Sequence, residues 1–238
     1  MRPLLAQLRL ELALLARNGE SVLLTLGIPV LLLVFFANVD VLPIDGEPIA
    51  FLAPGVLALA VLSTSFVNLA IATGFEREYG VLKRLGSTPL GRPRLLAAKT
   101  SSILVVEMVQ IAVLWVLALG LGWEPSARAG FVAAVVLGTV AFAGLALCLA
   151  GALSALVTLA AANGLYLVLL LLSGMVIPLA ELPGPLRALA RVLPSGALAE
   201  AVRGSLAPGD AVASRAWVVL VAWAIAAPIA ATRLFRWE

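Results

Sequence analysis

The sequence predicts an all-α, polytopic integral membrane protein with six transmembrane helices, and three observations carry that prediction. Of 238 residues, 63% are hydrophobic and only 12% are charged. Mean hydropathy is +1.12, a value at which a water-soluble fold of this size would lack the polar residues to cover its surface. Several apolar runs reach the ~20 residues that a helix needs to cross a bilayer. They are continuous and rich in Leu, Ala and Val, whereas a transmembrane barrel requires short alternating strands.

Residues 1–20 read as an amphipathic interfacial helix. At helical angles Leu4, Leu5, Leu8, Leu12 and Leu15 share a face, with Gln7, Arg9 and Arg17 elsewhere. Arg9, Glu11 and Arg17 interrupt any signal-peptide core, so this segment is expected to stay on the mature chain. The first span is predicted over 21–38. An acidic connection follows, with Asp40, Asp45 and Glu47 but no Lys or Arg, which places it outside. The second span is predicted over 49–74, begun or kinked by Pro54-Gly55.

The third span is predicted over 101–121 and ends at the turn-like GWEPS. No charged residue occurs between Gly130 and Pro178, a stretch too long for one helix. Ala161–Gly164 (AANG) offers the best break, giving spans over 130–157 and 161–179. A proline-rich section over 180–208 is expected to form short outer re-entrant helices. The last span is predicted over 212–231. In span four, Gly144, Cys148 and Gly151 recur at three- and four-residue steps, which favours close helix packing.

Basic residues orient the chain. With the N-terminus inside, eleven of the 16 Lys and Arg fall on the inner side and five on the outer, so both termini are expected in the cytoplasm of a multi-pass cell-membrane protein. The single cysteine allows no intrachain disulfide. With no histidine and no metal-spaced Cys or carboxylate cluster, metalloenzymes are disfavoured, and a net charge of +3 does not point to nucleic acid. No catalytic constellation is visible, and no internal duplication of the kind that builds many secondary transporters.

The charge-dense connection after span two is the most particular stretch. In FEREYGVLKRL, Phe75, Tyr79 and Leu82 recur at helical spacing, while Glu76 with Lys83, and Arg77 with Arg84, line up two turns apart. This predicts a short amphipathic helix over 75–86 at the inner surface. Gly86, Pro89, Gly91 and Pro93 then break the backbone before the chain re-enters the membrane near Lys99.

Two stretches resemble the membrane subunits of the ABC type-2 exporter permease family. FEREYGVLKRLGSTPLGRPRLLAAKT is similar to that family's connection between spans two and three, and SGMVIPLAELPGPLRALARVLPSGALAEAVRG to its stretch between spans five and six. The resemblance implies that 75–86 is a coupling helix docking on a separate nucleotide-binding ATPase subunit. Glu76, Arg77, Glu78, Lys83 and Arg84 would be interfacial, with Phe75, Tyr79 and Leu82 anchoring the helix. The N-terminal helix, with Arg9 and Arg17, would be the family's connecting helix at the same interface.

The chain carries no nucleotide site of its own. A Walker A loop needs G-x-x-x-x-G-K-[ST], and the one K-T, Lys99-Thr100, is preceded by PRLLAA without glycine. ATP and Mg would therefore be used by the partner subunit, and the chain is not expected to be an enzyme. Six helices make a small wall for a substrate path, so a second permease copy or a related permease is also expected.

Within the spans, Glu107 is the one deep carboxylate and shares a helix face with Gln110; burial of such a group is costly, which marks it for a substrate path or a dimer seam. Asn68 and Ser65 in span two, and Asn163, are further polar candidates, although Ser and Thr in membrane helices commonly bond their own backbone. Arg187 and Arg191 lie a turn apart on the outer section, where they would meet membrane lipid or cargo headgroups. The resulting expectation is an ATP-driven exporter of a hydrophobic or amphipathic substrate such as a drug, natural product or lipid-like molecule. The alternative is an ATPase-independent secondary transporter or membrane scaffold. Richness in Ala, Leu, Gly and Arg with few Lys points to a GC-rich bacterial genome.

Overall fold

The structure, a computed structural model, describes residues 19–39, 48–86, 91–126, 129–207 and 212–234. The N-terminal interfacial helix with Arg9 and Arg17, the acidic connection Asp40–Glu47 and the turn around Pro89 lie outside the described residues. Those that are described form helices and turns, with no strand among them.

Helix α1 spans Gly19–Asn38 and α2 spans Pro48–Glu78. At 1.5 Å per residue the 31 residues of α2 reach about 46 Å, well beyond the ~30 Å of a bilayer's hydrocarbon core. Its apolar body therefore runs straight into the charged run at its C-terminus. Midway, Ser63–Asn68 widen into a π-helical turn, flanked by α-helix on both sides. A short helix α3, Val81–Gly86, leads to α4, Arg92–Gly120. Pro93 sits in the first turn of α4, where its missing N–H costs nothing, so the third helix starts well before the expected position 101.

Helices α5, Ala129–Ala152, and α6, Ala155–Leu171, follow. The break between them falls at Leu153-Ser154, which corrects the expectation of a turn at Ala161–Gly164. Asn163 instead lies inside α6 and bonds its own backbone, Nδ2 to the Leu159 carbonyl at 2.8 Å. Glycine and asparagine are tolerated there because the apolar surroundings leave the backbone no better partner than its own helix. After a single 3₁₀ turn at Leu179–Glu181 come α7, Gly184–Ala190, and α8, Pro194–Leu206, and then α9, Ser214–Leu234.

Four of these helices are long and apolar enough to cross a membrane: α2, α4, α5 and α9. The apolar stretches of α1 and α6 are shorter. Helices α2 and α5 are the most enclosed, with Phe66 and Phe142 meeting at 6.4 Å between ring centroids where they cross. The most extensive helix pair is α5 with α9. Gly144 permits it: a Cβ there would lie 2.6 Å from the Ala227 carbonyl carbon and the Pro228 nitrogen. Small residues in span four thus do serve close packing.

Burial along α4 is the reverse of a soluble helix. Its buried stripe, Ile103, Glu107, Gln110, Leu114 and Ala118, contains the polar side chains, while Val105, Met108, Val109, Val113 and Val116 are exposed. Such an apolar outer surface is stable only against lipid or another apolar face. Helix order sorts the charged residues by end. The C-terminus of α2, the N-terminus of α4 and the α5–α6 break meet at one end, while α7 and α8 cover the other.

Candidate functional site

The charged end is organised by three consecutive residues in the last turn of α2. Glu76 Oε2 lies 2.6 Å from Lys99 Nζ, an ammonium that α4 holds almost fully buried, and so ties α2 to α4. Arg77 points the other way. Its Nη1 donates to the Ala150 carbonyl at 2.9 Å and the Leu153 carbonyl at 3.2 Å, acceptors that the end of α5 leaves without helical partners. Glu78 Oε2 accepts the backbone N–H of Ala155 at 3.2 Å, one of the orphan donors opening α6.

The signs match the helix ends. A guanidinium sits at the partly negative C-terminus of α5, and a carboxylate at the partly positive N-terminus of α6. Ser154, at the N-cap position, makes no side-chain cap, so the cap of α6 comes from a different helix. That supply explains why the break occurs here: a neighbouring Arg-Glu pair satisfies both new termini at once. Three of the five charged residues of 75–86 expected at an ATPase surface, Glu76, Arg77 and Glu78, are therefore engaged within the chain, although Glu78 also reaches the exterior.

Beyond them the chain turns sharply. The expected continuous helix over 75–86 is split, because Gly80 takes φ +71°, a left-handed conformation that costs glycine little. Tyr79 N–H still bonds Phe75 and Gly80 N–H bonds Arg77, closing the last turn of α2, and α3 then departs in a new direction. Leu82 is fully buried and anchors α3, while Tyr79 is 70% exposed and stacks on the half-buried Phe75 at 6.0 Å. Lys83 and Arg84 stand on the exposed side of α3. The split separates the apolar residues that the helical spacing had put on one face.

A second polar cluster lies in the interior. Glu107 is completely buried and receives a hydrogen bond from Thr139 Oγ1 of α5, with Ser65 as its other polar neighbour; its Oε1 has no partner among the described residues. One turn on, Gln110 accepts from Thr64 Oγ1 at 2.9 Å and donates to the Thr25 carbonyl of α1 at 2.6 Å. Ser65 Oγ bonds the Val61 carbonyl at 2.5 Å, and Asn68 is half-buried at the end of the π-helical turn. Glu107, Gln110 and Ser65 thus face inward between α1, α2, α4 and α5, away from the exposed helix faces. Thr64 and the π turn lie in the polar run STSFVN, which the sequence already marks, whereas Thr139 carried no distinctive signal.

Arg187 folds back on the chain, its Nη2 donating to the Ala180 carbonyl and, at 3.0 Å, to that of Leu182. Arg191 is exposed at the end of α7. Among the described residues no group of three or more metal-ligating side chains gathers.

No curated protein matches the chain. The family model for the ABC-2 type transporter matches residues 4–207, which includes the charged end, the interior polar cluster and α8. The family resemblance read from the two motifs is thereby shown: this multi-pass membrane chain belongs to the ABC-2 type transporter family.

Proposed function

We propose that the chain is the transmembrane permease subunit of an ATP-driven exporter that moves a hydrophobic or amphipathic substrate out across the cytoplasmic membrane. Its ATP and Mg are used by separate nucleotide-binding subunits, and two permease copies, or this chain and a related one, enclose the path. In this reading six spans put both termini on one side, and the eleven-to-five excess of Lys and Arg supports the cytoplasmic side.

The observation that carries this reading is the linkage at the charged end. Helix α3, with Lys83, Arg84 and the neighbouring Tyr79, is presented on a glycine turn and serves as the coupling helix. Immediately behind it, Glu76, Arg77 and Glu78 join the end of α2 to α4 and to the α5–α6 break. A push on α3 by a closing ATPase thus reaches four membrane helices through short polar contacts. The interior cluster around Glu107 and Gln110 lies along the same helices, where a path with hydrogen-bonding capacity is needed for an amphipathic cargo.

The test is transport. In proteoliposomes holding the permease with its ATPase subunit, a fluorescent amphipathic dye is expected to move only with ATP and Mg. Dye movement driven equally well by a proton or sodium gradient without ATP would refute the exporter reading.

A further inference from the structure

At the end of the bundle opposite the charged connection, a cleft of about 380 Å³ opens between the first turns of α2, the segment after α6 and the side of α8. Phe51, Leu179, Glu200 and Arg203 are among its walls. Glu200 is already neutralised, its carboxylate accepting from Arg215 Nη2 at 2.9 and 3.2 Å. Arg203 has no carboxylate partner among the described residues.

The Arg203 guanidinium is positioned by groups that carry no negative charge. Nη2 donates to the Gly174 carbonyl at 3.0 Å, and the guanidinium carbon lies 4.1 Å from the centre of the Phe51 ring. Its Nε is buried without a partner among the described residues. Burial pulls the group down to about 10, which still leaves it cationic at neutral pH. A guanidinium has five N–H donors in a planar fork suited to two oxygens of one anion, and among the described residues most of those donors have no acceptor. A desolvated charge held this way favours a counter-ion.

Depth selects the anion. Phe51 lies in the first turn of α2, where its apolar body begins, with Arg203 against it, and the phosphates of a bilayer gather at such ends of apolar spans. We propose that this cleft is a phosphate-binding site in which Arg203 takes the phosphodiester of a lipid-like headgroup. Phe51 and Leu179 supply the apolar wall beside the glycerol or acyl portion. The site goes beyond the exporter reading and stands without it, since it requires a bilayer and no ATPase.

The experiment uses the full chain in detergent and follows the thermal midpoint against dioleoylphosphatidylglycerol, inorganic phosphate and a cationic dioleoyl lipid lacking phosphate. Phosphatidylglycerol is expected to give a saturable rise that Arg203→Gln abolishes and Arg203→Lys shifts to at least tenfold higher concentration. Arg94→Gln, an equal loss of charge at the other end, leaves the rise intact. The same Arg203-dependent rise with inorganic phosphate alone assigns the ligand to a soluble anion, and its absence assigns it to lipid; either result supports the site. Should Arg203→Gln not fold, Phe51→Leu keeps the charge but removes the ring, and a severalfold weaker response is expected. A rise of unchanged midpoint in the Arg203 variants, or an equal rise with the phosphate-free lipid, overturns the proposal.

Discussion

Glu76 and Lys99 meet at 2.6 Å across the junction of α2 and α4, and the lysine is only 1% exposed. An ion pair this deep repays its desolvation only while both partners are present, and losing one costs about 3–5 kcal/mol. Lys99→Met and Glu76→Gln are each expected to destabilise the chain. The double variant is expected to recover about 1–3 kcal/mol relative to the sum of the two. Denaturation midpoints of the four proteins in one detergent measure this coupling, and strict additivity would remove the pair from the account.

Arg77 is expected to hold the α5–α6 break. Arg77→Ala leaves the Ala150 and Leu153 carbonyls without that donor, and a hydrogen bond to a charged group contributes about 1.5–3 kcal/mol. Amides at 155–158 should then exchange at least ~10-fold faster, read by hydrogen–deuterium exchange in nanodiscs. Arg77→Lys, whose ammonium has donors enough for both carbonyls but a shorter reach than Nη1, should fall between. Unchanged exchange would mean that the break is stable without the side chain.

The direction of α3 depends on Gly80. Alanine at φ +71° costs about 1 kcal/mol, and among the described residues no neighbouring atom lies within 4 Å of the added methyl to blame for a clash. Gly80→Ala should therefore fold and insert normally but show weakened coupling to the ATPase subunit, measured as reduced dye transport per ATP hydrolysed. Equal coupling would show that α3 needs no left-handed turn.

How much of this was legible in the sequence follows from which forces are local. Apolar runs of Leu, Ala and Val declare spans because the bilayer demands backbone bonding within each segment. The run FEREYGVLKRL declared a polar junction for the same reason: so many charges cannot enter hydrocarbon. What stayed hidden depends on partners distant in sequence. The α5–α6 break at Leu153-Ser154 has no proline, and Gly151 just before it stays helical; the new termini are satisfied by Arg77 and Glu78, more than 70 positions earlier. AANG looked a better turn, yet Asn163 simply bonds back along α6. Helical spacing also placed Phe75, Tyr79 and Leu82 on one face, and a single positive φ at Gly80 undid it. Glu107 and Gln110 were visible as costly polar groups and Thr64 as a polar position in span two, whereas Thr139 became a partner only through packing.

Glu107 offers a test of the interior cluster. Glutamine keeps its shape and its acceptor for Thr139, so Glu107→Gln should stay within about 1 kcal/mol of the parent. Glu107→Ala removes the acceptor and opens a cavity in a fully buried site, and a loss of about 2–4 kcal/mol is expected. If the cluster also lines the cargo path, Glu107→Gln should alter dye transport while leaving the denaturation midpoint in place. A glutamine variant as unstable as the alanine one would show that the charge itself is required.

The central claim is that α3 and its flanking residues dock a separate ATPase. The direct measurement is capture of the full chain from its native membranes, with the bound soluble subunit identified by mass spectrometry and its ATP hydrolysis assayed. The account predicts recovery of a subunit carrying a Walker A sequence, reduced at least ~10-fold when both Lys83→Glu and Arg84→Glu are introduced, with membrane insertion unaffected. Recovery of no ATP-hydrolysing subunit, or equal recovery by the double variant, would contradict it.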